Sequence, residues 1–287
     1  MNKNAFELAR DEQIRYVSVR EAFYKKNPKV AKLLPGFVYK YLEKIAHQDE
    51  INEILKLYGE KTGLEFIKAV IEHFNVSFDV EGLNNVSVKG KYIFVSNHPL
   101  GGFDGMFLLK ILNENFGPTK VLVNDILMNI KNIRSLFVPI NKHGRQAEES
   151  IILLDEIFKS DLHLLTFPAG LVSRKIKGMI VDVEWKKNFI VKSIKYQRDV
   201  VPIFVSGRVS EFFYRLANIR KFLGIKSNLE MFYLVDETFK HKNKNFQVVF
   251  GNPISYKIFD KSKTYQDWAR WVKEKVYKLG GYNYIPL

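Results

Sequence analysis

Short runs of β-branched and aromatic residues alternate with amphipathic stretches from about residue 76 onward. Continuous apolar runs of four to eight residues indicate buried strands, whereas apolar spacings of three and four indicate helices. This alternation is typical of α/β proteins, in which helices cover the faces of one sheet. We therefore predict an α/β fold with a central mixed β-sheet flanked by helices. The predicted strands are 92–95, 120–123, 137–140, 162–167, 200–205, 229–235 and 246–250, and the predicted helices are 104–115, 145–159, 186–197, 211–222 and 264–278.

The first part of the chain has the spacing of several short helices. Pro28 is placed as a first-turn proline, and helical patterns follow over 37–45 and 64–74. No linker rich in glycine, serine or proline separates this part from the rest. We predict an N-terminal helical appendage over residues 1–75 and one α/β domain over residues 76–287.

Lysine and arginine exceed aspartate and glutamate by 45 − 31 = 14, so the protein is a cation that polyanionic surfaces attract. Nucleic acids and anionic membranes are the candidates. The chain has no cysteine, which excludes disulfides, thiolate nucleophiles and cysteine-ligated metal sites. Its apolar stretches are far shorter than the ~20 residues that span a bilayer. The N-terminal segment carries acidic residues where an export signal needs an apolar run. We expect any membrane contact to be peripheral.

A histidine and a carboxylate share one turn between a predicted strand and a predicted helix, over residues 96–105 (SNHPLGGFDG). A neutral imidazole at His98 can take the proton from an attacking hydroxyl. Asp104 can fix the tautomer of His98 and stabilise the imidazolium. Gly101 and Gly102 allow the backbone to curl and bring the two side chains together. The alternative is that both side chains merely cap the following helix.

A second loop follows the predicted strand 162–167 and has the sequence FPAGLVSRK over residues 167–175. Arg174 can hold a phosphate or a carboxylate through two parallel hydrogen bonds, and exposed loop amides can add their dipoles. Taken alone, however, the segment is more typical of an ordinary solvated loop.

Several other groups have weaker signals. His143 and His163 lie near the ends of predicted strands, where a side chain can contact substrate or serve only the fold. Asp182 and Glu184 alternate along what resembles a strand, so they are expected on one face, as a metal or acid–base pair or as a solvated surface. The helical segment 212–223 mixes aromatic, aliphatic and basic residues, which suits a helix at a lipid surface or a core helix with a basic edge. The histidines predicted to lie on the surface are His47, His73 and His241.

Four ordered blocks resemble those of the glycerol-phosphate and lysophosphatidate acyltransferase superfamily. The first is the Asn-His…Asp motif, matched by Asn97, His98 and Asp104. The second is an apolar strand with a basic end, the third a Phe-Pro-x-Gly…Ser-Arg loop, and the fourth an apolar strand with an early proline. These blocks are 137–145, 167–174 and 200–204, a basic-aromatic helix start lies at 185–189, and the resemblance covers residues 76–255.

The resemblance implies an enzyme that transfers a fatty acyl group from an acyl-carrier-protein or coenzyme A thioester to a hydroxyl of a lipid acceptor. It implies that His98 and Asp104 are catalytic, that Arg174 contacts the acceptor head group, and that no metal or other cofactor takes part. Together with the positive net charge and the lack of a spanning stretch, this leads us to expect a cytoplasmic protein, peripheral on the inner face of the cell membrane. The residues expected to bind substrate are Asn97, Gly101, Gly102, Asn141, Lys142, Arg145, Pro168, Gly170, Ser173, Arg174 and Lys187.

Two departures from the family pattern concern the acceptor. Five residues separate His98 from Asp104 where the family has four, and Ala169 stands where the family usually has a glutamate. Together with the helical lead-in, these features resemble the bacterial branch that acylates the hydroxyl of an N-acylated amino acid, as in the making of ornithine or glycine lipids.

The main alternative is a basic nucleic-acid-binding protein without enzymatic activity, which the net charge of +14 and the many aromatic residues would suit. The lysines are dispersed along the chain, and no binding-module signature occurs. A serine hydrolase would need a Gly-x-Ser-x-Gly elbow, and nucleotide use would need a glycine-rich phosphate loop; neither pattern is present. We therefore expect no nucleic-acid partner.

Overall fold

The computed structural model describes residues 17–123, 128, 130–140, 145–225 and 228–283, and only the backbone of 26, 30 and 145–151. It confirms the predicted α/β fold with N-terminal helices. The strands in these residues are β1 (Ser77–Glu81), β2 (Tyr92–Ser96), β3 (Thr119–Val123), β4 (Phe137–Pro139), β5 (His163–Thr166), β6 (Arg174–Ile176), β7 (Met179–Val181), β8 (Asp199–Val205) and β9 (Asn245–Phe250). The α-helices in the same residues are α1 (Val19–Lys26), α2 (Pro28–Leu33), α3 (Gly36–Ile45), α4 (Gln48–Tyr58), α5 (Gly63–His73), α6 (Gly102–Asn115), α7 (Arg145–Lys159), α8 (Asn188–Tyr196), α9 (Glu211–Phe222), α10 (Leu234–Phe239) and α11 (Tyr265–Leu279).

Seven of the described strands form one sheet in the order β1-β9-β8-β2-β5-β3-β4. All neighbours are parallel except β8 and β9, so the sheet is mixed, as predicted. Helices α5 and α6 pack on the face that carries Phe94, and α8 and α11 pack on the face that carries Ile93 and Val95. The central strands are continuous apolar runs because both of their faces are covered.

The N-terminal helices follow their apolar spacing. Helix α5 buries Phe66, Ile67, Val70 and Ile71 on one side, and this face joins the core that α6 completes. Helix α2 begins at Pro28, as predicted, because a first-turn proline loses no helical hydrogen bond. The division of the chain into two domains at residue 75 remains a prediction.

The strand predicted over 229–235 is wrong. The chain there forms a 3-10 helix, Leu229–Tyr233, that leads into α10. Strands β8 and β9 already pair with each other, so the sheet has no place for a strand between them. Helical winding instead turns Met231 and Leu234, three residues apart, toward a small apolar cluster around Phe213.

The described strands β1, β6 and β7 were not predicted. Strand β1 is half polar and lies at the sheet edge, where only β9 pairs with it. Strands β6 and β7 form a hairpin whose turn residues, Lys177 and Gly178, both have positive φ, at 49° and 83°. Two-residue turns of this kind usually carry Asn-Gly or Asp-Gly, so Lys-Gly is a weak signal.

The prediction that His241 lies on the surface is wrong, since it is 1% exposed. Its ring packs edge-on against Phe103 and Phe246. Within the described structure, neither ring nitrogen has a hydrogen-bond partner. Burial, with a smaller contribution from the charge of Lys244, lowers the pKa of His241 to about 4. His47 and His73, also predicted at the surface, are partly buried.

His241 is expected to make stability fall in acid. Its pKa is lower in the folded state than the value of about 6.5 in an unfolded chain, so the unfolded state binds the proton first as the pH falls through that interval. Between pH 7 and pH 5 this linkage should remove about 2 kcal/mol of unfolding free energy.

Urea denaturation of wild type and His241→Phe at both pH values measures this effect. Between pH 7 and pH 5, the unfolding free energy of the variant should fall by about 2 kcal/mol less than that of wild type. Equal losses in the two proteins would contradict a neutral, buried His241.

Candidate active site

Three loops meet at one edge of the sheet because β2, β5 and β8 are parallel neighbours. Val95 of β2 lies opposite Thr166 of β5, and Ser96 lies opposite Ile203 of β8. The carboxyl ends of these strands are therefore side by side, and α/β folds bind their ligands at such ends. The segments predicted to carry His98 and Arg174 begin here.

Asn97 extends the pairing of β2 with β8 through its side chain. Its amide nitrogen donates to the Val205 carbonyl and its amide oxygen accepts from the Val205 N–H, each at 2.8 Å. Asn97 therefore holds the start of the histidine loop against β8. Its predicted contact with substrate remains a prediction.

His98 and Asp104 form a hydrogen-bonded pair. Nδ1 of His98 lies 2.8 Å from Oδ2 of Asp104, and both carboxylate oxygens also accept from the Leu100 N–H. The Asp104 side chain is fully buried in the first turn of α6, whereas that of His98 is 18% exposed. The ring of His98 stacks on Phe167, with centroids 4.2 Å apart. No described residue hydrogen-bonds to Nε2 of His98, so this nitrogen can receive a proton from a ligand.

Burial dominates the electrostatics of this pair. It raises the pKa of Asp104, while the hydrogen bond and charge of His98 oppose that shift. A buried carboxylate that accepts from Nδ1 holds the proton there and leaves Nε2 with its lone pair. The geometry is that of an oriented general base.

The turn between His98 and Asp104 depends on Gly101. This residue has φ of 73° and precedes the first residue of α6, and a Cβ there would lie 2.7 Å from Cδ1 of Leu234. Gly102 has open space within 4 Å of its Cβ position. The positive φ of Gly101 suits a glycine, since a side chain would be strained there.

The loop after β5 packs directly on the histidine loop. The Ser173 N–H donates to the His98 carbonyl at 2.8 Å, and the Pro168 carbonyl accepts from the Lys186 N–H at 3.0 Å. Gly170 turns the chain with φ of 67°, and a Cβ there would meet Nζ of Lys186 at 2.8 Å. The structure thus brings Ser173 against His98, while Pro168 and Gly170 lie beside Lys186.

Arg174 is paired inside the protein. Nη2 of Arg174 lies 2.9 Å from Oε1 of Glu230, and Nε of Arg220 lies 2.9 Å from Oε2 of the same carboxylate. Nη1 of Arg174 donates to the Val172 carbonyl, and the guanidinium lies over the ring of Phe213. Burial lowers the pKa of Arg174. The predicted contact of Arg174 with the acceptor head group remains a prediction.

Within the residues that it describes, the structure shows no contact between His98 and the other residues predicted to bind or touch substrate. Lys187 is exposed at the start of α8, and Arg145 begins α7 with a side chain outside the description. Asn141, Lys142 and His143 lie outside the described residues. His163 is buried at the beginning of β5, the opposite end of the strand from the site, where it contacts the Phe116 carbonyl. A cavity of about 340 Å³ also lies at that opposite end, beside Lys91 and Gln197.

The expectation that Asp182 and Glu184 share one strand face is wrong. Strand β7 ends at Val181, and the chain then turns so that Asp182 is fully buried while Glu184 is exposed. In the part of the chain that the structure describes, no group of three histidine or acidic side chains is arranged to hold a metal ion. Asp182 instead accepts from the His98 N–H at 3.2 Å, which places it behind the histidine.

Replacing Arg174 tests whether it belongs to the protein's own ion cluster. In Arg174→Leu, Glu230 keeps only one of its two guanidinium partners inside the protein. The unfolding free energy should fall by about 3 kcal/mol, because a buried charge loses a partner. Lys187→Leu is the control, since Lys187 is exposed and is expected to leave stability unchanged. Urea denaturation that shows no loss in Arg174→Leu would mean that this arginine is held free for a ligand.

Comparison with known proteins identifies the family of the chain. The family model described as Acyltransferase matches residues 21–283. The lyso-glycine lipid O-acyltransferase of Bacteroides thetaiotaomicron is 48% identical over 270 residues, which cover 94% of this chain and 99% of that protein. The lyso-glycine lipid O-acyltransferase of Phocaeicola vulgatus is 45% identical over 280 residues, covering 97% of this chain and 100% of that protein.

Among solved structures, the 1-acyl-sn-glycerophosphate (LPA) acyltransferase PlsC from Thermotoga maritima covers 77% of this chain and 84% of its own, with 18% identity and a TM-score of 0.46. This likeness is too weak to indicate the function of this chain. The family model and the two relatives extend over nearly the whole sequence and confirm the resemblance seen in the four blocks. The chain belongs to the acyltransferase family.

Proposed function

We propose that this protein transfers a fatty acyl group from an acyl thioester to the hydroxyl of a lyso-glycine lipid. The observation that carries the proposal is the His98–Asp104 pair, with Nδ1 held by a buried carboxylate and Nε2 open to a ligand. The names of the two relatives indicate the acceptor. Because glycine has no hydroxyl, the oxygen that attacks must belong to the acyl chain on the glycine nitrogen.

The chemistry follows from an oriented imidazole. Nε2 of His98 takes the proton of the acceptor hydroxyl as its oxygen attacks the carbonyl carbon of the thioester. The tetrahedral intermediate collapses with cleavage of the carbon–sulfur bond. The imidazolium then returns the proton to the leaving sulfur, so that the products are an ester and a free thiol. Asp104 holds the tautomer and stabilises the imidazolium during this sequence.

Acyl-carrier-protein and coenzyme A thioesters are both suitable donors for this reaction, since each leaves as a thiol. The residues proposed to contact substrate are Asn97, Gly101, Gly102, Asn141, Lys142, Arg145, Pro168, Gly170, Ser173, Arg174 and Lys187. The reaction as written uses no metal ion and no cofactor besides the donor.

The test compares wild type with His98→Ala and Asp104→Asn, using labelled acyl-carrier-protein and coenzyme A thioesters. The acceptors are lyso-glycine lipid, lysophosphatidate and glycerol phosphate in detergent or liposomes, and the products are resolved by mass. Wild type should acylate lyso-glycine lipid. Each variant should lose at least about a hundredfold in kcat, since a general base or its orienting carboxylate is removed.

The control for these variants is His73→Ala, because His73 is a half-buried histidine with no described contact to His98 or Asp104, and the change should leave turnover unchanged. Full activity of His98→Ala would refute the catalytic assignment. A product formed only with lysophosphatidate would refute the acceptor and leave the chemistry standing.

A second part of the proposal concerns the membrane. In the described part of the chain, no helix has the length and apolar character to cross a bilayer. Helix α9 buries Phe213 and Tyr214 on one side, while Phe212, Ile219 and Phe222 remain exposed on the other, with Phe222 90% exposed. We call the face formed by Phe212, Arg215, Ile219, Phe222 and Leu223 the outer face of α9.

The outer face of α9 combines apolar and basic groups. Arg215 lies within it, and Lys221 is exposed in the last turn of the same helix. Phe37 of α3 is also exposed. It lies near the outer face of α9, because the hydroxyl of Tyr41, one turn later in α3, contacts the hydroxyl of Tyr233. The ring of Tyr233 in turn packs on Phe212. An apolar stripe with basic residues suits the surface of an anionic bilayer. We propose that the protein is peripheral on the inner, cytoplasmic face of the cell membrane and binds it here.

Vesicle sedimentation tests this surface. Wild type should bind vesicles that contain anionic lipid, and Ile219→Ser/Phe222→Ser should bind at least about tenfold more weakly, because two apolar side chains no longer enter the bilayer. Val88→Ser is the control, since Val88 is exposed just before β2, at the opposite end of the sheet. Equal binding of the double variant and wild type would exclude the outer face of α9.

A further inference from the structure

Asp182 is a buried carboxylate that the acyl transfer described above does not use. It is 0% exposed and follows β7, outside all four blocks that resemble the family. A buried carboxylate needs several donors to replace water. The donors that satisfy Asp182 come from the two loops of the candidate active site and from the segment before α8.

Its contacts join the two loops behind the histidine. Oδ1 of Asp182 accepts from the His98 N–H at 3.2 Å and from the Ser173 hydroxyl at 2.5 Å. Oδ2 accepts from Nε1 of Trp185 at 2.8 Å. The Ser173 N–H in turn donates to the His98 carbonyl, so both backbone polar groups of His98 are held from this side. The backbone of the proposed base is thus fixed by Asp182 and Ser173 together.

Helix α11 holds Asp182 in place. The Asp182 N–H donates to the Tyr277 hydroxyl at 2.6 Å, and Nζ of Lys273 donates to the Asp182 carbonyl at 2.7 Å. Burial lowers the pKa of Lys273, and the charge of Asp182 opposes that shift. Helix α11 therefore fixes the backbone of Asp182, from which the carboxylate reaches His98.

The charge of Asp182 also reaches the catalytic pair. Asp104 has its pKa raised mainly by burial, and the nearby negative charge of Asp182 adds to that effect. A second carboxylate near an imidazole–carboxylate pair favours the protonated form of the pair. On the side of Asp182 that faces α11, the nearest charged group is Lys273. Glu184 and Arg270 in turn act on Lys273.

We propose that Asp182 is a positioning residue for the acyl transfer: its carboxylate fixes the backbone of His98 and places a second negative charge beside the His98–Asp104 pair. This inference rests on the proposed function for its kinetic part only. It assigns Asp182 no contact with substrate. It predicts that removing the charge while keeping the shape impairs proton transfer more than binding.

The first measurement needs no turnover. Protein labelled with ¹³C and ¹⁵N in its six histidines is titrated by NMR, and His98→Ala assigns the His98 signals. In Asp182→Asn the midpoint at which the His98–Asp104 pair takes up a proton should move to lower pH, because a nearby negative charge is lost. An unmoved midpoint would overturn the electrostatic part of the proposal.

The second measurement is kinetic, with lyso-glycine lipid as acceptor. Asp182→Asn should lower kcat about 10- to 100-fold and change KM less than about threefold, and its pH–rate profile should show the same acid shift as the NMR titration. If kcat falls only by the fraction of the variant that is unfolded, the positioning role is wrong. If wild type does not acylate lyso-glycine lipid, the proposed function fails, while the NMR titration still decides the role of Asp182.

Glu237→Gln is the matched control. Glu237 is also fully buried, and its carboxylate likewise accepts from a backbone N–H and a serine hydroxyl, both of Ser210, at 2.6 and 2.5 Å. This variant should lose stability without moving the midpoint or kcat. In Asp182→Asn the new amide nitrogen faces the indole N–H, so Asp182→Asn/Trp185→Phe is the second variant if the single change does not fold. An equal shift in Glu237→Gln would show that loss of any buried carboxylate has the effect.

Discussion

The parallel pairing of β2 with β5 and β8 is the constraint on which the site depends, because it places three carboxyl ends at one edge. Two sets of hydrogen bonds extend this alignment beyond the strands. Asn97 pairs its amide with Val205, and the Ser173 N–H reaches the His98 carbonyl. A histidine between two such anchors has little backbone freedom, so its ring can be aimed by one carboxylate and one aromatic neighbour.

Three fully buried carboxylates surround this edge, and each is satisfied by donors from another segment. Asp104 accepts from His98 and Leu100, Asp182 from His98, Ser173 and Trp185, and Glu230 from Arg174 and Arg220. Burying a charge is costly unless such partners are present, and removing one partner leaves the buried charge only partly compensated. The low dielectric around these groups strengthens their hydrogen bonds, which makes the arrangement rigid.

Glu230 also connects the site with the protein surface. Through Arg174 it holds the loop after β5, and through Arg220 it holds α9, whose outer face is apolar and exposed. Leu234, in the following helix, packs against Gly101 of the histidine loop. The segment that joins β8 to β9 therefore covers the histidine loop and fixes the orientation of α9 at the same time. A lipid-binding face in this position would lie on the same side of the molecule as the loop that carries Arg174.

The sequence by itself determined the α/β class, the boundaries of the main helices and the pairing of His98 with Asp104, because each depends on residues close together in the chain. Helix α6 begins within two residues of its prediction, and the two side chains of the pair are six positions apart. Local spacing and turn chemistry are sufficient for such features.

Only the tertiary structure decided which distant groups meet. Asp182 reaches His98 across 84 positions and Glu230 reaches Arg174 across 56, and neither contact has a local signal. The segment 229–235 has the apolar composition of a strand, yet the pairing of β8 with β9 leaves it no place in the sheet. His241 resembled a surface histidine because its neighbours in sequence are lysines, but the fold packs its ring between Phe103 and Phe246. Burial and ion pairing depend on which segments the sheet brings together, and no short stretch of sequence contains that information.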